Sequence, residues 1–468
     1  MRDVRAWAEE EFGHAELGDV RRTKRLVLLA AEVAGKPAGT VTKACRSSAS
    51  REGAFRLLES ADVHPEDVRE AVERAALRRC TGERRVIVPI DGSSLTIADD
   101  GNDKGLGGVG AWGKGARGVQ VMTGLALTAD GAPIGVCGQR MWTRDGRSPH
   151  GRHGACGKPS ENRFWLELLD QTQQGFSEHA PNCTPWFQMD RGADCWDVLA
   201  LSQTQGLLMT VRAAYDRRVD DALGLLWATV EHAPVIAKRK VEVPARPPLQ
   251  RKKRVGGKRV TYLTKPRRAR SATVAIRAAT VEIRRPNKSP TITLNAVLVR
   301  EQTRRDDRIE WMLLTTHPIR TRRDVLAIVR AYTLRWRIEE FHRAWKRGLC
   351  RVEDTQLRSR NAIFKWATIL AAVATRAMRL TQLSRSTPDA PASSEFSRTE
   401  IQALIALRQP KATYDLATLT LATAVRWVAD LGGYTGPWNG PPGATVIGRG
   451  LHDLLIAARA FEYRDEKR

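Results

Sequence analysis

The segment AYTLRWRIEEFHRAWKRG constrains this chain most, because its polar and apolar residues separate cleanly at helical spacing. At about 100° per residue, Tyr332, Arg335, Glu339 and Lys346 fall within roughly 60° of one face of a helix, while Leu334, Ile338, Phe341 and Trp345 fall opposite. The spacing predicts a helix that docks through its apolar face and presents a carboxylate among cations. A solvated charged side is the ordinary use of such a face, but two other carboxylates in the chain have a related setting.

RRVIVPID is a short β-branched run that ends at Asp91 and is followed by the turn residues GSS. PWFQMD is again an apolar run, ending at Asp190, and RGADCWDVLALSQ after it can start a helix. An acid at a strand end is often only a turn former. Two of them, with Glu339 on a helix, make a candidate three-carboxylate set spaced by 99 and then 149 residues. The second gap leaves room for an insertion. Between about residues 238 and 301, alternating segments at Thr273 to Ile283 and Thr291 to Val299 flank RRPNKSP, which predicts an antiparallel β-ribbon. Before it, Arg251 to Arg270 carries ten basic residues and no acid, the pattern of a solvated arm with non-specific affinity for DNA.

Seventy-seven Lys and Arg against fifty-two Asp and Glu give a formal charge of +25, so a polyanion is the expected partner and small neutral substrates are not. With no apolar run of about 18 residues and no signal peptide in MRDVRAWAEE, the chain reads as soluble and cytoplasmic, without a membrane partner. Seven scattered cysteines lack any CxxC pair, which argues for neither a disulfide framework nor a structural zinc. His150, His153 and Cys156 share a loop but have no fourth ligand. The first seventy residues read as short helices with Asp19 as an N-cap. Arg21, Arg22, Lys24 and Arg25 crowd the start of that helix, where the macrodipole disfavours cations by roughly 0.3 to 1 kcal/mol each; they suit either a phosphate backbone or a solvated helix surface. After Lys346 the chain is helical from Asn361 to Gln382, breaks in the linker-like SRSTPDAPASSEFS, and is helical again from Glu400, from Leu416 to Leu431 and from Val446 to Phe461.

The Tyr-x2-Arg-x3-Glu-x6-Lys spacing, with LGDVRRTKRLV, SREGAFRLLE, IDGSSL, MDRGADCWDVL, ITLNAVL and the C-terminal DLGG, resembles the DDE transposases of the insertion sequence four family almost end to end. The resemblance implies an α/β fold with a ribonuclease H-like catalytic core (71–370, β insertion about 238–301), a helical N-terminal DNA-binding domain (1–70) and a helical C-terminal dimerisation domain (371–468). It implies a bacterial, nucleoid-associated cut-and-paste transposase in which Asp91, Asp190 and Glu339 hold two Mg²⁺ ions, Mn²⁺ being a substitute. Double-stranded DNA, both transposon ends and target, would be contacted by Tyr332, Arg335 and Lys346, by Arg212 and Tyr215 of LLMTVRAAYDRR, and by Arg21, Arg22, Lys24 and Arg25. Trp311 is either a core tryptophan or an aromatic platform for a flipped base. Two protomers would pair in a synaptic complex through C-terminal apolar positions such as Leu451, Leu454, Leu455 and Phe461. The family has Thr or Ser after its first catalytic Asp, whereas this chain has Gly92. The competing reading is a DNA-binding descendant that recognises ends without cutting.

Overall fold

The computed structural model describes all residues except 1–3, 102, 111–114, 145–160, 249, 256–257, 286–287, 410–413, 415–416, 437, 439 and 467–468. His150, His153 and Cys156 therefore lie outside the described residues. The chain begins with helices α1 (Val4–Phe12), α2 (Val20–Gly35), α3 (Val41–Ala44), α4 (Ser48–Glu59) and α5 (Pro65–Cys80). There follow β1 (Arg85–Thr96), β2 (Gly107–Gly108), β3 (Arg117–Leu127), β4 (Pro133–Trp142), α6 (Arg163–His179) and β5 (Thr184–Met189). The middle holds α7 (Trp196–Thr204), β6 (Met209–Arg212), α8 (Leu226–His232), β7 (Val235–Val243), β8 (Gln250–Val255), β9 (Lys258–Leu263), β10 (Arg270–Arg285), β11 (Lys288–Glu301), β12 (Glu310–Thr315) and α9 (Arg322–Leu334). The last part is helical: α10 (Arg337–Lys346), α11 (Arg360–Ser386), α12 (Arg398–Arg408), α13 (Leu421–Leu431) and α14 (Ala444–Glu466). This is a mixed α/β protein.

Packing divides it into two units, Met1–Gln188 with Leu334–Arg468, and Met189–Thr333. These do not follow the three segments read from the sequence. The reason is α11, a 27-residue helix that packs on α2, α4, α5, α10, α13, α14 and β4. In that first unit β1 lies between β3 and β5, and β3 also carries β2 and β4. Strand β1 does not stop at Asp91. It continues to Thr96 because β3 pairs with it antiparallel, Asp91 opposite Thr123 and Ser93 opposite Val121. Local turn propensity in GSS yields to a neighbour strand that supplies the ladder.

The C-terminal helices share a core with the end of α11: Leu380, Phe396, Leu404, Val425, Val428, Leu451 and Leu454 are all buried together. Leu451, Leu454 and Leu455 are therefore not an exposed pairing face; the chain's own helices use them. Phe396, in the stretch that reads as a linker, is only 2% exposed, so that loop is pinned to the core.

In the second unit β10 and β11 form the expected antiparallel ribbon, with Thr280 opposite Asn295. Three further strands flank it in the order β6, β12, β11, β10, β7. The basic run is not an unstructured arm: β8 and β9 pair as a hairpin with Arg251 opposite Tyr262, closed at its base by a bridge between Arg246 and Arg267. Among the described residues no helix is long and apolar enough to cross a membrane. The six described cysteines are free thiols, with the buried Cys80 pushed up to about 12 by desolvation.

Candidate active site and DNA interface

The expected continuous helix is two helices, with α9 ending at Leu334 and α10 starting at Arg337. At Arg335 and Trp336 the bonding tightens to three-residue steps, Ile338 N–H donating to the Arg335 carbonyl at 3.1 Å and Glu339 N–H to the Trp336 carbonyl at 3.0 Å. No proline or glycine marks the break. The polar constellation thus does not share one helix face, and Tyr332 is buried rather than solvated.

The apolar face of α10 behaves as its spacing predicts. Ile338, Phe341, Ala344 and Trp345 are buried, Phe341 stacks on Trp345 at 5.7 Å, and Trp345 Nε1 donates to the Ala367 carbonyl on α11 at 2.9 Å. This anchoring fixes how α10 meets β1. His342, on the same buried side, is pushed down to about 3 by desolvation and then by the Lys346 charge.

Arg335 joins the first and third expected acids. Its Nη1 is 3.3 Å from Asp91 Oδ2 and its Nη2 donates to Glu339 Oε1 at 2.9 Å. At the other end of α10, Lys346 Nζ donates to Ser93 Oγ at 3.2 Å. Asp91 and Ser93 are two residues apart on one strand and so face the same way. The two cations of the constellation therefore meet one face of β1, one at each end of α10. Gly92 N–H donates to Asp91 Oδ1 at 2.8 Å. A Cβ on Gly92 would meet nothing nearer than 3.9 Å, so the surrounding space does not require glycine there.

Asp190 directly follows β5 and caps the short turn Arg191–Ala193, accepting from Gly192 N–H at 2.7 Å. It belongs to the second unit, as do the remaining expected DNA-binding residues from Arg212 to Tyr332. There Trp311 is half-buried on β12 and meets Tyr332 edge-to-face, ring centroids 5.4 Å apart. Arg212 Nη2 donates to the Glu310 carbonyl at 2.8 Å, which ties it to the neighbouring strand. Tyr215 is 58% exposed, with the Arg217 guanidinium over its ring. Among the described residues no group of three or more His, Cys, Asp or Glu is gathered to hold a metal ion.

At the N-terminus, Asp19 caps α2 by accepting from Arg21 N–H at 2.8 Å. The Arg21 side chain bonds the same carboxyl, which it holds below the usual carboxylate range. Arg22 pairs with Asp62 and donates to the Leu17 carbonyl at 3.2 Å. Local acids thus answer two of the four crowded cations. Lys24 and Arg25 are exposed, and Arg25 lies over Gly53 of α4, where a Cβ would come within 2.8 Å of its guanidinium.

Two residues of the site are not among those the sequence singles out. Ser93 has a signal, being two positions from Asp91 on a strand. Glu353, whose carboxylate lies 3.7 Å from Lys346 Nζ, has none.

A strongly basic α/β protein with acids and cations set along one strand face is built to act on a phosphate polymer. Residues 4–63 match the transposase DNA-binding family, which makes DNA the partner. Residues 141–376, half of the chain, match the transposase DDE domain. The chain belongs to that family and is a DNA transposase. Asp190 and Glu339 fall within this match, while Asp91 precedes it.

Proposed function

We propose that this is a cut-and-paste transposase of the insertion sequence four kind, resembling the transposase of transposon five, with a ribonuclease H-like core. The single observation that carries the reading is the Arg335 bridge between Asp91 and Glu339, two acids 248 residues apart in the chain. Asp91, Asp190 and Glu339 would hold Mg²⁺, or Mn²⁺ in its place. Their carboxylates are the hard oxygen donors that such ions take, and a guanidinium between two of them marks a place suited to positive charge. When bound, two such ions would stabilise charge on the attacking and leaving oxygens of an in-line displacement.

The chain's own residues do the rest. Water attacks the scissile phosphorus, an O–P bond forms, the bond to the 3′ oxygen breaks, and a 3′-hydroxyl is left. That hydroxyl is the nucleophile of the next displacement, on the opposite strand or on target DNA. Arg335 and Lys346 contact phosphate oxygens beside the scissile bond through charge-assisted hydrogen bonds. Tyr332 supports Trp311, which offers a face to an extruded base. Lys24 and Arg25, with Arg21 and Arg22, meet the phosphate backbone of the transposon end. Two protomers pair in the complex that holds both ends, through a surface other than the buried Leu451, Leu454 and Leu455.

The test is a linear DNA carrying the matched inverted repeats that flank the gene, incubated with the protein and Mg²⁺ or with EDTA. Mg²⁺-dependent nicks that leave 3′-hydroxyls at the repeat boundary are expected. Tight end binding with no nick under any divalent ion would make the chain an end-recognising descendant without cutting activity.

A further inference from the structure

Glu353 stands outside the Tyr-Arg-Glu-Lys constellation, in the short turn Val352–Asp354 beyond α10. Arg351 just before it takes a left-handed backbone, φ 52°. The Glu353 side chain is 8% exposed, which is unusual for a glutamate unless it is paired. Its Oε1 accepts the Thr96 N–H at 2.9 Å and lies 3.7 Å from Lys346 Nζ. Its Oε2 accepts from Arg347 Nε at 2.7 Å.

We infer that Glu353 is a positioning residue for the DNA reaction, acting through Lys346; this rests on Lys346 contacting phosphate as proposed above. A lysine head on a flexible four-carbon stem gives up about 2 kcal/mol of rotamer entropy when fixed, so an unheld Lys346 would spend little time in one place. Ser93 accepts from one side and the Glu353 carboxylate attracts from the other. An ammonium has three donors and Ser93 takes one of them, so donors are left for a phosphate oxygen. Because Ser93 and Asp91 share a strand face, this hold also sets the distance between the lysine charge and the first acid.

The other partners of Glu353 matter less. The Thr96 N–H bonds to Glu353 Oε1, and the amide oxygen of a glutamine at 353 can still accept it. Arg347 is 79% exposed, so water solvates its guanidinium when the Glu353 charge is lost. The effect of losing the Glu353 charge should therefore fall on Lys346.

Single-turnover nicking of end DNA by the full chain tests this, with Glu353→Gln, Lys346→Ala and the double variant compared at saturating protein. End binding is measured by gel shift in the same buffer. Glu353→Gln is expected to slow nicking about tenfold, equal to about 1.4 kcal/mol, while the Kd for uncut ends changes by less than about twofold. In the Lys346→Ala background the same change should cost less than about twofold, because nothing remains to be positioned. An equal factor in both backgrounds would mean a merely structural role and overturn the inference, with the reading of Lys346 intact. Wild-type nicking by Lys346→Ala itself would instead remove Lys346 from the reaction, and Glu353 with it. Ser93→Ala provides the same test without touching Glu353: slowing that disappears in the Lys346→Ala background is expected, and slowing that persists there contradicts the inference.

Discussion

Replacing Arg335 by alanine leaves the Asp91 and Glu339 carboxylates without the guanidinium that joins them. The gross attraction of one such pair at about 3 Å is about 5 kcal/mol at an effective dielectric of 20. Most of that is offset by desolvation. Breaking a fully buried pair costs about 3 to 5 kcal/mol and an exposed one about 0 to 1. Arg335 is 14% exposed, Asp91 19% and Glu339 32%, which puts the net loss near about 2 kcal/mol once solvent screening is allowed for. Two carboxylates that now repel should bind a divalent cation more tightly, because it no longer competes with an arginine. Urea unfolding in EDTA and in excess Mg²⁺ therefore separates the variants. Arg335→Ala should be less stable than wild type by about 2 kcal/mol in EDTA and recover most of that in Mg²⁺ at about 100 times its Kd, where linkage supplies about 2.7 kcal/mol. Equal stability in EDTA, or no greater response to Mg²⁺ than wild type, would refute the view that Arg335 holds a cation's place between two metal-binding acids.

Lys24→Ala with Arg25→Ala should weaken binding to authentic ends and lower the slope of log K against log salt by about 0.9 for each phosphate that is no longer neutralised, read from gel shifts at several salt concentrations. His342 is buried neutral, so its folded value lies below the unfolded 6.5, and the stability it contributes is present above that pH and lost as pH falls toward about 3. His342→Gln should flatten the fall of stability between pH 6.5 and about 4 by about 1.4 kcal/mol per pH unit, measured by urea unfolding, and an unchanged slope would mean that the imidazole is solvated. Gly92→Ser should cost less than about 1 kcal/mol, since a Cβ there meets no close atom; a larger loss in the same unfolding experiment would mean that β1 cannot accept a side chain at that point.

Where burial alone decides an element, the sequence is a good guide. The apolar spacing of Ile338, Phe341 and Trp345 marks the docked face of α10, β-branched runs mark β1 and the β10–β11 ribbon, and an apolar run marks β5. Features set by distant neighbours cannot be read locally. β1 passes through Asp91 because β3 pairs with it, and GSS carries turn signals in isolation. The break at Arg335 and Trp336 has no proline or glycine to announce it. Leu451, Leu454 and Leu455 form an apolar stripe whether the partner is another protomer or, as here, the chain's own helices. Pattern shows that a stripe is covered, not by what. Glu353 is hidden for a similar reason: a charged residue in a short turn looks solvated until the strand end it meets is known.

The central claim, that Asp91, Asp190 and Glu339 carry out the chemistry while other residues bind the ends, is tested most directly by nicking. Asp91→Asn, Asp190→Asn and Glu339→Gln, each close in shape to the native residue, are compared with wild type in Mg²⁺-dependent cleavage of labelled end DNA, with end binding measured in parallel. Each variant is expected to lose nicking by at least about a thousandfold, since losing a metal ligand removes several kcal/mol of transition-state stabilisation, while binding ends within a few-fold of wild type. Nicking at the wild-type rate by any one of them would remove that acid from the site and contradict the account.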